Sequence, residues 1–167
     1  MIKHLVIAAA AALAPVLVSA LPASADVIPA TATALHNEAR AFYGVGPVQW
    51  DGALREETRA YARICRFEPS AHGDRYGENL YVTTAQDDDA TVLRDAVVAW
   101  ATEAMKFDKA NHRHSRDVSH YTQTIGANTD RMAVAIADCP AGSIFGSPTK
   151  FVVARYIPGQ DAVKAAL

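Results

Sequence analysis

The sequence predicts an α+β domain in which the helical segments come first and the short strands come last. Residues 31–104 carry apolar side chains at three- and four-residue spacing, which is typical of amphipathic helices. Residues 121–157 contain three short segments rich in β-branched and aromatic residues, a composition that favours strands. Separate runs of helices and strands favour a layered α+β domain with a mostly antiparallel sheet.

The N-terminal segment is predicted to be a secretory signal peptide. It combines a basic residue, Lys3, with an apolar run from Leu5 to Leu17 and small-residue cleavage points after Ala20 and Ala25. A proline and several small residues keep the apolar run below the roughly 20 residues that span a bilayer. We therefore expect residues 26–167 to form a single extracellular domain without a membrane span.

The charge of the mature chain argues against nucleic acid as a partner. Removing the leader subtracts Lys3 from the 16 basic residues and leaves all 18 acidic ones, a formal balance of −3. No basic stripe with interleaved aromatic residues is present. The acidic run Asp87–Asp89 is predicted to be a solvated loop before a helix N-terminus. A calcium site is the alternative, but the run lacks the alternating ligands and glycine turn of an EF-hand.

The first predicted helix begins at Thr31 or Thr33, either of which can cap it, and ends before Gly44. Its polar residues Asn37 and Arg40 are predicted to be structural and to tie the helix to a loop by hydrogen bonds.

The second helix is predicted to follow an extended segment, 47–50, with Asp51 as its N-cap. The three- and four-residue spacing places five of its side chains on one face: Leu54, Thr58, Tyr61, Ala62 and Cys65.

The third predicted helix begins near Asp89 or Thr91. Its apolar stripe consists of Val92, Ala96, Val97, Trp100 and Ala104. Glu103 lies about one turn beyond Trp100, at the edge of this stripe. The predicted strands follow at 121–125, 132–139 and 151–157, and the polar tract 140–149 joins the last two as a hairpin loop.

Cys65 and Cys139 are the only two cysteines. An oxidising compartment would allow them to form a disulfide, and two buried free thiols are the alternative. Neither cysteine lies in a metal-ligand spacing such as CxxC.

Six short motifs occur in an order that resembles the CAP superfamily, also called the SCP domain family. This superfamily includes cysteine-rich secretory, antigen-5 and pathogenesis-related-1 proteins. The motifs are His36-Asn37-x-x-Arg40, Trp50-Asp51-x-x-Leu54, Tyr76-Gly77-Glu78-Asn79-Leu80, Trp100-x-x-Glu103, His120-Tyr121-Thr122-Gln123 and the terminal Phe151–Gln160 segment. The resemblance implies a three-layer α-β-α sandwich with a small, mostly antiparallel central sheet.

Several positions depart from the family's pattern. Gly126 stands where a tryptophan is usual, and Val134 and Ala154 stand where two cysteines commonly bridge the last two strands. We expect Val134 and Ala154 to face each other across adjacent strands and to take over the packing. Cys65 and Cys139 match another bridge of the plant members, and the resemblance therefore implies that they pair.

The resemblance also implies a polar cleft built from His72, Glu78, Glu103 and His120. Neutral imidazoles suit zinc, with His72 and His120 as the ligands, while the carboxylates ligate directly or orient a histidine. Such a site would be weak and exchangeable, since two histidines leave open positions for water. A buried polar network without metal is the alternative.

Two further histidines, His112 and His114, form a His-x-His in a polar loop and are a minor alternative for a metal. No His-Glu-x-x-His and no Gly-x-Ser-x-Gly motif is present, so neither a standard zinc protease nor a serine hydrolase is indicated.

Three function classes follow from these observations, and binding is favoured over catalysis. The first is a secreted binding module whose cleft or interhelical groove holds a sterol, fatty acid or phospholipid, as the resemblance implies. The second is a metal-dependent hydrolase that uses a histidine-bound water. The third is a scaffold for contact with a host or a cell wall. No catalytic residue is assigned.

Overall fold

The computed structural model describes residues 27–71, 75–107 and 115–159. The predicted signal peptide, His72, His112 and His114 lie outside these residues. In chain order the elements are α1 (Val27–Phe42), β1 (Gln49–Trp50), α2 (Gly52–Ala62), β2 (Gly77–Thr83), α3 (Asp89–Thr102), α4 (Ser119–Thr124), β3 (Arg131–Cys139) and β4 (Thr149–Ile157). Two short 3₁₀ turns, Glu103–Lys106 and Arg116–Val118, separate α3 from α4.

The four strands form one sheet in the order β1-β3-β4-β2. The β2–β4 and β3–β4 pairs are antiparallel, whereas the two-residue strand β1 runs parallel to β3. The prediction of a mostly antiparallel sheet is therefore confirmed. Val134 and Ala154 are register partners and are both buried, as expected from the two absent cysteines.

Both faces of the sheet are covered by helices, which gives three layers. Met132 and Val134 of β3 pack in one core with residues of α1 and α3. Ala133 packs against Leu54 of α2, and Ala135 lies in a cluster with Ala62 of α2. Because both faces are buried, β3 and β4 read as continuous apolar runs without polar alternation.

The structure confirms the predicted starts of α2 and α3, whereas the predicted start of α1 was wrong. The Asp51 side chain accepts hydrogen bonds from the amides of Ala53 and Leu54, and the Asp88 carboxylate caps α3 in the same way. The helix α1 begins at Val27, before the predicted Thr31 or Thr33. Pro29 is compatible with this earlier start, because an amide in the first turn has no partner within the helix.

Cys65 and Cys139 form a disulfide that joins the segment after α2 to the end of β3. Their Cα atoms are 5.6 Å apart. Cys65 lies outside α2, which ends at Ala62, and its φ of 55° is left-handed. The predicted helical face was therefore too long at its C-terminal end, because the spacing of Cys65 reflects the disulfide and not a further helical turn.

The predicted strand at 121–125 was wrong, since these residues lie mainly in the helix α4. Tyr121 and Thr122 are buried on α4, so their aromatic and β-branched character reflects burial. The strand β2 was not predicted, because its sequence includes Glu78 and Asn79. Pairing of β2 along all seven residues with β4 stabilises it as a strand.

Arg40 fixes α1 to the loops beside α4, as predicted from the sequence. Its guanidinium donates to the backbone carbonyl oxygens of four residues: Gly46, Thr124, Gly126 and Thr129. Asn37 exchanges two hydrogen bonds with the backbone of Val48. These contacts hold α4 and the site residues that it carries at a defined position.

Candidate functional site

Glu78 is an almost fully buried carboxylate of the predicted cleft. It projects from β2, and its Oε2 atom lies 3.0 Å from Nε of Arg155 on β4. The amide and the hydroxyl of Ser70 donate to the same carboxylate at 2.8 and 2.6 Å. The side chains of Glu78 and Arg155 are 3% and 2% exposed. Glu78 is therefore neutralised and held by three donors, which makes it a poor general base.

Arg155 is a site residue that the sequence analysis missed. Its guanidinium stacks over the rings of Tyr76 and Tyr61, with 4.3 and 5.2 Å to the ring centroids, and donates to Ser70. These contacts balance its charge in a buried position. The sequence did contain a signal for this role, since Arg155 is the single charged residue in the apolar run 151–157. A charged residue on a strand that is buried on both faces requires a partner.

Glu103 lies behind His120 and orients it. Its Oε1 atom is 2.7 Å from Nδ1 of His120, and its Oε2 atom accepts from the amides of His120 and Tyr121. Val118, the N-cap residue of α4, makes no side-chain capping bond. The carboxylate of Glu103 instead satisfies two amides of the first turn of α4. The carboxylate favours the tautomer with the proton on Nδ1, which leaves Nε2 as an acceptor.

A cleft of about 720 Å³ opens beside these groups. Its lining is Phe67, Glu68, Pro69, Glu78, Leu80, Arg116, Ser119 and His120. The side chain of His120 is 36% exposed, whereas that of Glu103 is 19% exposed. The structure thus brings Glu78 and His120 to one cleft and places Glu103 behind His120. His72, the fourth predicted member, lies outside the described residues.

The described residues do not by themselves make a metal centre. Within 27–71, 75–107 and 115–159, no group of three or more His, Cys, Asp or Glu side chains could hold a metal ion. Glu78 is committed to Arg155 and Ser70, and Nδ1 of His120 is committed to Glu103. Of the Glu78 and His120 side chains, the atom that has no such commitment is Nε2 of His120.

A buried polar network connects the core to the cleft. Nδ1 of His36 donates to the carbonyl of Ala32, and Nε2 of His36 accepts from the hydroxyl of Tyr156. Asn79 donates to the carbonyl of His120 and contacts Tyr156. Burial is the main reason why the pKa of His36 lies at about 4 instead of 6.5; the hydrogen bond to Ala32 opposes this shift, and the positive charge of Arg40 contributes to it.

A second concave surface, the α1–α3 groove, lies on the outer side of the helical layer. It has a volume of about 350 Å³ and is lined by Leu35, Glu38, Ala39, Phe42, Tyr43, Arg94, Val97, Val98 and Ala101. Phe42 is 82% exposed and Val98 is 57% exposed, although both are apolar. Exposed apolar side chains around an apolar groove are typical of a binding surface.

None of the helices in the described part of the chain has the length and apolar character needed to cross a membrane.

Comparison with known proteins agrees with this architecture. The profile of the family described as "CAP: Cysteine-rich secretory protein family" matches residues 33–156. Pathogenesis-related protein 1 of Arabidopsis thaliana is 34% identical over 126 residues, which span 73% of this chain and 74% of that protein. The human Golgi-associated plant pathogenesis-related protein 1 is 28% identical over 134 residues, 77% of this chain and 80% of that protein.

Solved structures share the fold at low sequence identity. A structure described as NaASP2 with Zn²⁺ has a TM-score of 0.67 and 18% identity, and the match spans 79% of this chain and 80% of that one. MpPR-1i has a TM-score of 0.61 and 15% identity, with 83% and 92% of the two chains matched. At these identities the likeness shows the fold alone.

Proposed function

This chain belongs to the CAP family of cysteine-rich secretory proteins, and we propose that it is an exported binding module that holds one apolar or amphipathic ligand in the α1–α3 groove. The observation that carries the proposal is the lining of this groove. Most of its surface is aliphatic, and two charged side chains, Glu38 and Arg94, lie within it. The aliphatic residues are Leu35, Ala39, Val97 and Val98. An apolar floor with a few polar groups is the usual construction of a small-molecule site.

The groove matches a lipid better than a wholly polar ligand. Its volume of about 350 Å³ lies within the roughly 300–1,000 Å³ of small-molecule sites. An acyl chain or a sterol body would cover the exposed ring of Phe42 and the side chain of Val98, since burial of apolar surface is favourable. Glu38 and Arg94 would then face the polar end of the ligand. A fatty acid, a sterol or a phospholipid meets this description.

Displacement of a fluorescent fatty acid from the mature protein tests the proposal. Val98→Asp places a carboxylate against the apolar part of the bound chain, and we expect it to weaken binding about tenfold or more because the bound chain would have to displace water from that carboxylate. Ile64→Asp is the matched control, because Ile64 is also 57% exposed but does not line the groove. Equal affinity in both variants would contradict the groove as the site.

Zinc at His120 is a second candidate, favoured by the contact between His120 and Glu103. A carboxylate that accepts from Nδ1 and fixes the ring is the usual support of a metal-ligating histidine. One histidine is insufficient for tight binding, so we propose His72 as the second ligand, which would give the weak, exchangeable site expected from the sequence. Bound zinc would supply a Lewis acid at the cleft.

Calorimetric titration with zinc at neutral pH separates these alternatives. We expect saturable binding in the mature protein and its loss in both His72→Ala and His120→Ala. Binding that survives in both variants would contradict this site and would direct attention to His112 and His114.

Hydrolysis is supported less well than binding. A hydrolytic mechanism requires a carboxylate that is free to accept a proton from water. Glu78 is held by Arg155 and Ser70, and Glu103 is held by His120 and two backbone amides. We therefore propose that neither Glu78 nor Glu103 acts as a general base. A scaffold for a host or cell-wall partner is the alternative if neither lipid nor zinc binds.

A further inference from the structure

Two opposite charges face the α1–α3 groove without pairing. Glu38 lies on α1 and Arg94 lies on α3, and both side chains line the groove. Neither side chain forms an ion pair or a hydrogen bond with any residue in 27–71, 75–107 or 115–159. Other surface charges are paired, as Glu57 is with Arg75 at 2.9 Å. The groove therefore presents one carboxylate and one guanidinium that are available to a ligand.

The two helices that form the groove run in the same direction. Ile28 and Asp89, near the N-terminal ends of α1 and α3, line one concavity. Tyr43 and Phe107, beyond the C-terminal ends of the same helices, both contact the ring of Tyr121, with 5.0 and 5.7 Å between ring centroids. One end of the groove is therefore formed by the N-terminal parts of both helices, and the other end is formed by their C-terminal parts.

This shared direction makes the groove amphipathic along its length. On α3, Arg94 precedes the exposed side chain of Val98 by about one helical turn. On α1, Glu38 precedes the exposed ring of Phe42 by about one turn, and Tyr43 extends the apolar surface beyond it. Both charges therefore lie on the N-terminal side of an exposed apolar side chain. Such a surface matches a molecule that carries both charges at one end and an apolar chain at the other.

We propose that the groove binds a zwitterionic phospholipid with a single acyl chain, such as lysophosphatidylcholine. This inference rests on the proposed function of the groove and selects one class among its lipids. Arg94 would donate to the phosphate, because a guanidinium matches phosphate oxygens with two parallel hydrogen bonds, and Glu38 would neutralise the ammonium group. The acyl chain would cover Phe42 and Val98. The volume of about 350 Å³ lies near the lower limit of small-molecule sites, which favours one chain over two.

Fatty acids and sterols match these charges less completely. A fatty acid satisfies Arg94, but its carboxylate lies at the same end of the groove as Glu38, and like charges oppose each other. A sterol carries an uncharged hydroxyl, which leaves both side chains without a counter-charge. A zwitterionic headgroup supplies a counter-charge to each of them. The two charges therefore discriminate among ligands whose apolar parts fit equally well.

Displacement of a fluorescent fatty acid from the mature protein by two competitors of equal chain length, lysophosphatidylcholine and a fatty acid, tests the proposal. Both competitors are kept below their critical micelle concentrations, and each variant is corrected for its affinity for the probe. Lysophosphatidylcholine should bind the wild type more tightly. Glu38→Gln should weaken lysophosphatidylcholine and strengthen the fatty acid, each by about two- to fivefold, the effect of one exposed charge pair. Arg94→Gln should weaken both. An unchanged affinity for lysophosphatidylcholine in Glu38→Gln, or a change of the same sign for both ligands, would overturn the proposal.

Glu56→Gln is the matched control, because Glu56 is an exposed residue of α2 that does not line the groove. It should leave both affinities unchanged, and an effect equal to that of Glu38→Gln would overturn the assignment. The same experiment separates this inference from the proposed function. A fatty acid that binds and is weakened by Val98→Asp, with lysophosphatidylcholine no tighter, would retain the lipid groove and overturn the headgroup assignment. Absence of binding by both ligands would overturn both proposals.

Discussion

Glu78 and Arg155 form an ion pair across β2 and β4, with 3.0 Å between Oε2 and Nε and both side chains almost fully buried. Register pairing of the two residues in the sheet brings the groups together. Ser70 donates to Glu78 through its amide and its hydroxyl, and the hydroxyl oxygen accepts from Nη2 of Arg155. The pair therefore acts as a structural junction below the cleft, between the sheet and the loop after α2.

The first prediction concerns this ion pair. Replacing Arg155 by Met removes the cation and leaves the carboxylate of Glu78 buried without its charge partner. We expect the free energy of unfolding to fall by about 3–5 kcal/mol, measured by denaturant unfolding.

The double variant Arg155→Met/Glu78→Gln is the control for the first prediction. It removes both charges and should recover part of the loss, because the buried charge is then absent. A double variant less stable than Arg155→Met would contradict this explanation.

The second prediction concerns close packing at Gly77. A Cβ atom at this position would lie 1.8 Å from Oε1 of Gln123, a contact that requires the buried glutamine to move. We expect Gly77→Ala to cost about 1–3 kcal/mol through overpacking. Gly52→Ala is the matched control, because a Cβ atom there meets nothing within 4 Å.

A double-mutant cycle between Gly77→Ala and Gln123→Ala tests the contact directly. The double variant should be more stable than the sum of the two single losses predicts, since removal of the amide makes room for the methyl group. Strict additivity would show that Gln123 is not the cause.

The third prediction concerns the disulfide between Cys65 and Cys139, which are 74 residues apart. The chain-entropy relation gives a stabilisation of about 4 kcal/mol for a loop of this length. Cys65→Ser/Cys139→Ser should therefore lower the melting temperature without abolishing the fold. Reducing agent should lower the melting temperature of the wild-type protein and leave that of the variant unchanged. A variant as stable as the oxidised wild type would contradict the expected contribution.

The fourth prediction concerns the pH dependence that arises from His36. Because burial lowers its pKa from 6.5 to about 4, the unfolded chain binds a proton at higher pH than the native chain does. Stability should be independent of this group above pH 6.5 and should fall as the pH drops towards 4, by about 3 kcal/mol in total. Urea unfolding across this range measures the loss.

The His36→Gln variant isolates the contribution of His36 from that of other groups. It cannot take up a proton, so its stability should decline less steeply between pH 6.5 and 4 than that of the wild type. Parallel curves for the two proteins would assign the pH dependence to another residue.

Several parts of the fold follow from local patterns. Asp51 was predicted as an N-cap because aspartate there satisfies free amides of the first helical turn, and the structure contains those bonds. The apolar stripe from Val92 to Trp100 predicted α3, because its three- and four-residue spacing is also a local property of the sequence. The segments 132–139 and 151–157 agree with β3 and β4 to within two residues, because their β-branched and apolar runs match strands buried on both faces.

The segments whose secondary structure was predicted wrongly or missed are stabilised by contacts with residues distant in sequence. The chain at Tyr121–Thr124 is helical, although its composition favours a strand. Glu103, which is 17 residues from His120, supplies hydrogen bonds to the start of this helix. The strand β2 depends on pairing with β4, whose register partners are 67 to 79 residues away in sequence. A window of local sequence contains neither contact, so local composition led to the wrong element at 121–125 and to no element at 77–83.

The sequence by itself determined the family, the class of fold, the order of α1 to α3, the two long strands and two polar residues that line the candidate cleft, Glu78 and His120. These features depend on spacing and residue type, which are properties of neighbouring positions. Tertiary structure alone decided what Glu78, Glu103 and Arg155 do. Glu78 is balanced by Arg155, 77 residues away, and Glu103 orients His120. A charged side chain acquires its role from the partner that folding brings to it, because burial makes an unpaired charge costly.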